Sequence, residues 1–256
     1  MSIPRPEYPR PQFRRESWTN LNGTWQFDFD FGVTGRERKL HQAEALSKEI
    51  IVPFCPESDL SGIGYKDFIP ACWYKKTINV SLKENVRFIL HFGACDYLTE
   101  VWVNGESVGT HIGGYVSFSF DITSKLKDGE NIITVCATDD LRSQNQPSGK
   151  QSQKYESFGC FYTRTTGIWQ TVWLEEVPEK HIEDIITALY DLIQDARGLP
   201  LGADKCIVER DRVLDMLDEI SAQLPSELKQ SRTIVESRNE LIGQAKRESE
   251  AIIRKA

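Results

Sequence analysis

The chain has 256 residues and a mass of 29.3 kDa, and 39% of its residues are hydrophobic, which excludes disorder as its main state. Its 38 acidic and 31 basic side chains give a net charge of -7, which argues against general binding to nucleic-acid phosphates or anionic lipid. Every apolar run is far shorter than the roughly 18 residues that a membrane helix needs, and the first residues lack the apolar core of a signal peptide. We therefore expect a soluble, cytoplasmic protein that binds neither nucleic acid nor a membrane.

The cysteines and histidines are scattered in a way that favours no metal or redox site. The six cysteines occur singly, without C-x-x-C spacing, and none of the four histidines lies three or four positions from another. A chain of this size does not need disulfides in order to fold. The sequence therefore predicts free, mostly buried thiols, no metal and no cofactor.

The composition changes sharply near Pro178. Of the 26 aromatic residues, 25 lie at or before position 178, whereas the last 78 residues hold 28 charged side chains. Such a charge density is typical of solvated helices. The sequence therefore predicts two domains, at residues 1–180 and 181–256.

Strand patterns follow one another along the first domain. Short runs rich in aromatic and β-branched residues alternate with clusters of turn residues, mostly with period-two spacing. They lie at residues 23–29, 73–80, 86–92, 99–103, 106–109, 115–120, 131–137 and 169–174. Asn104 and Gly105 form the dipeptide typical of a tight type I′ hairpin. Because no helical period separates these runs, they predict an antiparallel two-sheet β-sandwich, a jelly roll.

The second domain changes to a helical period. Apolar residues from Ile182 to Ala196 recur every three or four positions and stop near residues 198–200. A second amphipathic stretch runs from Val213 to a stop at Pro225, and a third begins near Ser226 with a narrow apolar stripe on a charged helix. These patterns predict a small α-helical hairpin or bundle with a long charged C-terminal helix. Residues 226–256 are expected to mediate self-association or to bind a partner helix, as in a coiled coil.

Several ordered motifs of the first domain together resemble the N-terminal sugar-binding domain of glycoside hydrolase family 2, the family of β-galactosidases, β-glucuronidases and β-mannosidases. The most diagnostic are VWVNG at 101–105, GTHIGGY at 109–115 and TGIWQTVWLE at 166–175. The further matching blocks lie at residues 5–6, 14–18, 21–27, 52–58 and 73–76. The resemblance implies a galactose-binding-like jelly roll and a weak β-glycoside or sugar ligand.

The same resemblance implies that this chain alone is inactive. In the family, two catalytic glutamates belong to a (β/α)₈ barrel, which needs roughly 250 residues. Only 78 residues follow position 178. Retaining hydrolysis requires two carboxyl groups about 5 to 5.5 Å apart across the scissile bond, and nothing in the helical tail supplies them. We therefore expect a non-catalytic module of carbohydrate metabolism and assign no catalytic residue.

Two segments supply candidate sugar-binding residues, because the resemblance implies that their loops face the pocket of intact family members. The first contains Asp140, Gln146, Lys150 and Gln151, whose charged and amide groups suit sugar hydroxyls. The second contains Arg164, just before the closing strand. The alternatives are an ordinary solvated loop for the first segment, and for Arg164 a salt bridge or a guanidinium stacked on an aromatic surface.

The six tryptophans and His111 are further candidates for sugar or proton chemistry. Most of the tryptophans lie in strand patterns, so core packing is the better interpretation of them. His111 lies in a glycine-rich turn without a paired carboxylate, which favours a structural role. Neither group is therefore assigned to the site.

The sequence is also consistent with two alternative functions. The chain is an interaction or scaffold protein if the helical tail mediates self-association while the sandwich is a stable passenger. Alternatively, it is a truncated fragment of a glycoside hydrolase, or a fused one in which two unrelated parts were joined by rearrangement.

Overall fold

The computed structural model describes residues 3–11, 15, 17–142, 145–178, 182–194, 196, 198–199 and 202–223. Contacts divide the chain into two units. The first comprises Met1–Pro9 and Ser17–Glu179, and the second comprises Arg10–Glu16 and Lys180–Ala256. The strands that position the candidate site all belong to the first unit.

Short antiparallel strands build the described part of the first unit. They are β1 (Trp18–Asn20), β2 (Gly23–Phe29), β3 (Lys48–Val52), β4 (Ala71–Val80), β5 (Val86–Phe92), β6 (Cys95–Asp96), β7 (Leu98–Val103), β8 (Glu106–Ile112), β9 (Phe118–Asp121), β10 (Gly129–Thr138), β11 (Gly167–Ile168) and β12 (Val172–Pro178). A four-stranded sheet has the order β1-β12-β5-β9, and a six-stranded sheet has the order β3-β2-β4-β10-β7-β8. A further pair, β11 and β6, lies beside them.

The two sheets pack face to face as a β-sandwich around one apolar core. Leu90 and Leu174 from the four-stranded sheet meet Ile50, Val101 and Val135 from the six-stranded sheet. Burial of each such side chain contributes about 1.5 to 3 kcal/mol. Alternation of buried and partly exposed positions, which the period-two pattern predicts, is seen at the end of β3, whereas β10 and β12 are buried on both faces over much of their length.

Loops cover the outer faces of both sheets. On the six-stranded sheet, Trp73 and Trp102 stack at 5.4 Å and pack with Leu46 and Cys136. On the four-stranded sheet, the N-terminal segment at residues 3–9 places Tyr8 so that its hydroxyl donates a hydrogen bond to Glu175. Most tryptophans are therefore buried as expected, but several pack under loops rather than between the sheets.

Glu175 is a buried carboxyl with several donors around it. The indole Nε1 of Trp173 donates to its Oε1 at 2.9 Å, and Nε2 of His91 lies 3.3 Å from its Oε2. Burial alone disfavours the charged form, but His91, Tyr8 and Trp173 outweigh it and lower the pKa of Glu175 to about 2. The N-terminal segment is thus attached to the last strand of the sandwich by an ionised group.

The predicted strands agree with the structure at most positions. The expected strands over residues 23–29 and 86–92 coincide with β2 and β5. The expected strand over 169–174 is wrong in its first half, because the ladder is interrupted between β11 and β12. There the indole of Trp169 donates to the carbonyl of Gly114 at 2.8 Å, and Thr171 accepts from the amide of Gly93.

The second unit contains two helices, α1 (Ile182–Gln194) and α2 (Arg210–Gln223). Between them lies a short hairpin of β13 (Gly198–Leu199) and β14 (Gly202–Cys206), in the stretch between the first two predicted helices, where the sequence analysis predicts no strand. The third predicted helix, with the proposed association segment 226–256, lies outside the described residues. Neither described helix is long and apolar enough to cross a membrane.

The cysteines with described side chains are not joined in disulfides. Cys72, Cys95 and Cys136 are buried in the first unit, Cys55 is half-buried and Cys160 is exposed. Burial raises the pKa of Cys55, Cys95 and Cys136 to about 12. The prediction of free, mostly buried thiols is therefore confirmed for these residues, and those with raised pKa values are inert as nucleophiles.

Candidate functional site

The candidate site lies at one end of the six-stranded sheet. Thr138, the last residue of β10, pairs with Ala71 at the start of β4 and with Leu98 at the start of β7. The register therefore places the loop after β10, the turn that contains β6 and the segment before β4 at the same end of the sheet. Polar side chains that are far apart in sequence become neighbours there.

Three buried carboxyl groups, those of Glu57, Asp96 and Asp139, lie at the centre of this end of the sheet. We call them the carboxyl cluster. Their exposed fractions are 4%, 1% and 4%. Both carboxyl oxygens of Glu57 accept from the amide of Thr166 at 3.2 Å. The hydroxyl of Thr166 donates to Oδ2 of Asp139 at 3.3 Å, so one threonine connects two members of the cluster.

Two glutamine side chains also contact the cluster. The amide of Gln146 donates to Oδ1 of Asp139 at 2.5 Å, and the amide of Gln151 donates to Oδ2 of Asp96 at 2.9 Å. The other oxygen of Asp96, Oδ1, is buried without a hydrogen-bond partner among the described residues. Burying an acceptor without a hydrogen bond costs free energy. Among the described residues, Asp96 is therefore the member of the cluster that has one hydrogen-bond acceptor left without a donor.

The electrostatics of the cluster favour protonated carboxyl groups. Burial raises the pKa of Glu57 to about 7 and that of Asp139 to about 6. Burial, with the nearby charge of Asp139, raises the pKa of Asp96 to about 7. No member forms an ion pair with a described lysine or arginine. The cluster therefore holds protons at pH values where exposed carboxyls are ionised.

A loop at residues 145–166, which we call the covering loop, lies against the carboxyl cluster. Its Gln151 side chain also accepts from the amide of Thr165 at 2.8 Å, which ties the two ends of the loop together. The hydroxyls of Tyr115 and Tyr162 lie 2.8 Å apart and join the loop to the turn before β9. The loop thus restricts the access of solvent to the cluster.

Arg164 supports the covering loop from inside. Its guanidinium donates to the carbonyls of Ser152, Lys154 and Tyr155, and to that of Lys66 outside the loop. It also lies 4.4 Å from the centre of the Phe68 ring. Four carbonyl contacts occupy Nη1 and Nη2, and only 2% of Arg164 is exposed. This geometry corresponds to the stacked, structural alternative, and the sugar contact of Arg164 stays a prediction.

The other sequence-predicted residues divide into two pairs. Gln146 and Gln151 are brought to the carboxyl cluster, as described above. Asp140 and Lys150 are exposed to solvent at the same end of the sheet. Their positions agree with either a sugar-facing or a solvated loop, so their role in binding also stays a prediction.

The sequence interpretation selects none of Glu57, Asp96 and Asp139 as site residues. A lone carboxyl inside an otherwise apolar or small-residue run is the available signal. Asp96 follows Gly93, Ala94 and Cys95 directly after a buried strand, and a side chain at that place has little access to water. What the sequence lacks is the register that brings the three loops together.

Exposed aromatic residues lie on the covering loop and on the turn before β9. Phe158 and Phe161 stack at 5.1 Å across a tight turn, and Lys154 lies 4.2 Å above the Phe158 ring. Tyr115 and Tyr162 are 52% and 40% exposed. Elsewhere His111 lies in β8 rather than in a turn, and its ring stacks on Phe118 at 4.0 Å.

This arrangement can bind hydrogen-bonding groups, and its central carboxyls are buried rather than presented as nucleophiles. Within the described residues, no group of three or more His, Cys, Asp or Glu side chains is arranged to hold a metal ion. The polar groups that reach solvent include the carboxylate of Asp140, the ammonium of Lys150 and the two tyrosine hydroxyls. Amide, carboxylate and phenol groups beside aromatic rings are suited to a hydroxylated ring.

Comparison with known proteins assigns this fold to a family. The profile of the glycosyl hydrolases family 2, sugar binding domain, matches residues 18–178. The chain belongs to glycosyl hydrolase family 2. The matched range includes both sheets, the carboxyl cluster and the covering loop of the family 2 domain, so the resemblance inferred from the motifs is confirmed.

Similar proteins include much longer family 2 enzymes. The chain is 35% identical over 181 residues to a putative beta-glucuronidase of Formosa agariphila, covering 70% of this chain and 20% of that protein. It is 34% identical over 134 residues to a beta-galactosidase of Thermoanaerobacter pseudethanolicus, covering 51% and 17%. A solved b-glucuronidase from Ruminococcus gnavus has the same fold, with 22% identity and a TM-score of 0.54, covering 68% and 31%. The chain thus spans less than a third of each of these proteins.

Proposed function

We propose that the first unit is a non-catalytic, carbohydrate-associated module with a galactose-binding-like jelly-roll fold. The observation that carries this proposal is the match of the family 2 sugar binding domain to residues 18–178. The candidate site, at one end of the six-stranded sheet, lies within that range and presents hydrogen-bonding groups beside exposed aromatic rings. The ligand that fits these groups is the ring of a β-glycoside, bound weakly.

The proposed contacts fall into two layers. Asp140 and Lys150 are the exposed charged groups, and they contact the hydroxyls of the sugar by charge-assisted hydrogen bonds. Gln146 and Gln151 are less exposed, and their amides connect the ligand to Asp139 and Asp96 of the carboxyl cluster. Arg164 completes the proposed set, and its guanidinium also fixes the backbone of the covering loop.

The state of the carboxyl cluster supports the absence of hydrolysis. Retaining glycosidases use two carboxyl groups about 5 to 5.5 Å apart, one of them an ionised nucleophile, with the glycosidic bond between them. The members of the cluster are at most 4% exposed, and burial favours their protonated forms. We expect no turnover of p-nitrophenyl β-galactoside, β-glucuronide or β-mannoside. Turnover that survives repurification and is abolished by a carboxyl substitution in this chain contradicts the proposal.

Ligand titration followed by heteronuclear NMR tests the sugar contact directly. Methyl β-galactoside and methyl β-glucuronide at millimolar concentrations should shift amide signals of residues 140–151 and 162–166. The variants Asp140→Ala and Lys150→Ala should weaken these shifts severalfold. Glu130→Ala and Lys127→Ala are matched controls, because they change exposed charges at the opposite end of β10. Equal titrations in all four variants, or no shift at the highest sugar concentration, exclude this site.

The helical unit supports a second candidate function, which is interaction with a second copy or a partner helix. Ile186, Tyr190 and Ile193 on α1 are 50%, 65% and 47% exposed and recur at helical spacing. Such an exposed apolar stripe is typical of a docking face. Sedimentation velocity over a hundredfold concentration range should show self-association that weakens in Ile186→Lys/Ile193→Lys and in Ile252→Lys/Ile253→Lys. A parent that stays monomeric throughout removes self-association as a function.

A further inference from the structure

We propose that the outer face of the four-stranded sheet is a docking groove for a proline-rich segment that bears a tyrosine, and that its partner is the N-terminal segment of a second copy of this chain. In the single chain, residues 3–9 of the same copy fill the groove, so the two occupants compete for one site. The proposal depends neither on a sugar ligand nor on the helical unit.

Side chains from three neighbouring strands form the floor of the groove. The register pairs Trp18 of β1 with Glu175 of β12, and Trp173 of β12 with His91 of β5, so these four side chains share the outer face of the sheet. The rings of His91 and Trp173 stack at 4.7 Å with an interplanar angle of 6°. The floor is therefore an aromatic surface with one carboxylate, on the side of the sheet that faces away from the core.

Tyr8 is the anchor of the N-terminal segment in this groove. Its ring packs edge-on against that of Trp18, with the ring centroids 4.9 Å apart, and its hydroxyl donates to the carboxylate of Glu175. Only 8% of Tyr8 is exposed, whereas the preceding residue, Glu7, is exposed to solvent. An inserted aromatic ring with a charge-assisted hydrogen bond at its tip is typical of the residue that dominates binding at an interface.

The groove also holds the backbone of the segment, through its carbonyl groups. The side-chain amide of Asn22 donates to the carbonyl of Pro4 at 3.0 Å, and that of Asn20 donates to the carbonyl of Arg5 at 2.8 Å. Residues 4, 6 and 9 are prolines, which have no backbone N–H, so the segment offers mainly acceptors. Side-chain donors beside aromatic rings match such a segment, and aromatic-lined grooves are usual docking sites for proline-rich chains.

A second copy supplies an occupant that fits the groove in every detail. Its N-terminal segment has the same side chains and carbonyls, so all of the contacts can form between copies. The eight residues 10–17 connect the segment to β1 and can span at most about 26 to 29 Å. Residues 1–15 contain four arginines and one glutamate, whereas the whole chain has a net charge of -7, so electrostatic attraction favours the approach of this segment to another copy. Exchange of an identical element is a low-cost route to a dimer.

A labelled peptide of residues 2–10 tests the groove on the full chain by fluorescence anisotropy. A short tether gives the chain's own segment an effective concentration in the millimolar range, so binding between molecules should appear once its own anchor is removed. We expect Tyr8→Ala to bind the peptide at least tenfold more tightly than the parent does. The same peptide with Tyr8→Ala should bind neither chain. Glu7→Ala is the matched control in the segment and should behave like the parent.

Two further substitutions in the Tyr8→Ala chain locate the binding. Asn20→Ala removes one donor and should weaken peptide binding about threefold to tenfold, whereas Glu176→Gln, whose carboxylate pairs with Lys83, should leave it unchanged. If Tyr8→Ala does not fold, Tyr8→Phe takes its place, and its gain over the parent should be smaller. A folded variant that does not bind the peptide at about 1 mM overturns the proposal. Equal binding by the parent and the Tyr8 variant, or an undiminished affinity after Asn20→Ala, overturns it too.

Mixing two complementary chains tests exchange between whole copies. One carries Tyr8→Ala and keeps the groove, and the other carries Trp18→Ala with Asn20→Ala and keeps the segment. Both also carry Ile186→Lys and Ile193→Lys, which separates this association from the one proposed for the helical unit. Sedimentation velocity should show a 1:1 complex in the mixture and monomers for each chain alone. If the double groove variant does not fold, Asn20→Ala alone is used. A mixture that stays monomeric at concentrations where the peptide binds overturns the second copy as the occupant.

Discussion

Replacing Glu175 by glutamine is expected to cause a large and pH-dependent loss of stability in the sandwich. The carboxyl is 4% exposed, and it joins Tyr8 of the N-terminal segment to Trp173 and His91. Glutamine has nearly the same shape, so the substitution removes the charge without opening a cavity. It also replaces one acceptor oxygen by an NH₂ group that faces other donors.

The expected magnitude follows from the pKa of Glu175. A fall from the ordinary 4.5 to about 2 corresponds to about 3 kcal/mol of stability at pH 7, at about 1.4 kcal/mol for each tenfold change in proton affinity. Because the pKa is lowered in the folded state, this stability is present above pH 4.5 and is lost as the pH falls toward 2. Glu175→Gln should therefore lose about 3 kcal/mol at pH 7 and about half of that at pH 3.

Urea denaturation at pH 7 and pH 3, monitored by tryptophan fluorescence, measures both values. Glu176→Gln is the matched control, since its carboxylate is on the same strand but makes a partly exposed ion pair with Lys83. Such pairs contribute about 0 to 1 kcal/mol. A loss for Glu175→Gln below about 1 kcal/mol at pH 7, or an equal loss at both pH values, would refute the reasoning.

Three further substitutions test the site and the turns. Arg164→Lys should cost about 2 to 3 kcal/mol, because an ammonium cannot reach four carbonyls in the planar geometry of the guanidinium, and limited proteolysis should then cut within the covering loop. Gly114→Ala should cost about 1 to 3 kcal/mol in urea denaturation, because its Cβ would overlap the carboxyl of Asp96. Asn104→Ala should cost about 1 to 2 kcal/mol by the same measurement, because the backbone of Asn104 has a φ of 53°, which alanine disfavours, and its side-chain oxygen accepts from the amide of Ile132 at 3.0 Å. Unchanged stability in any of them contradicts the contact concerned.

Local sequence signals predict the sandwich well, because each signal involves neighbouring residues. The Asn104-Gly105 turn is an example, since φ values of 53° and 81° at the two positions are what a type I′ hairpin requires. The alternating pattern of β5 likewise indicates that Phe88, Leu90 and Phe92 belong to the core between the sheets. Several short elements are missed, namely β1, β3, β6, β11 and the hairpin of β13 and β14.

The candidate site is predictable only in part, because it depends on register rather than on local pattern. Gln146 and Gln151 are selected from a polar loop, and they do lie at the carboxyl cluster. Glu57 and Asp96 come from segments about 40 residues apart that no motif connects, and Asp139 lies about as far again along the chain. Their proximity follows from the pairing of Thr138 with both Ala71 and Leu98, which the sequence does not display.

The strand order of the four-stranded sheet also determines when the first unit can be completed during synthesis. β12 lies between β1 and β5, so the sheet lacks an interior strand until residue 178 has been made. The six-stranded sheet has all of its strands by residue 138, and its apolar inner face then awaits the opposing sheet. A ribosome that adds about 5 to 20 residues per second leaves this face exposed for several seconds. The nascent chain therefore presents a hydrophobic surface to chaperones in that interval, and β12 closes it.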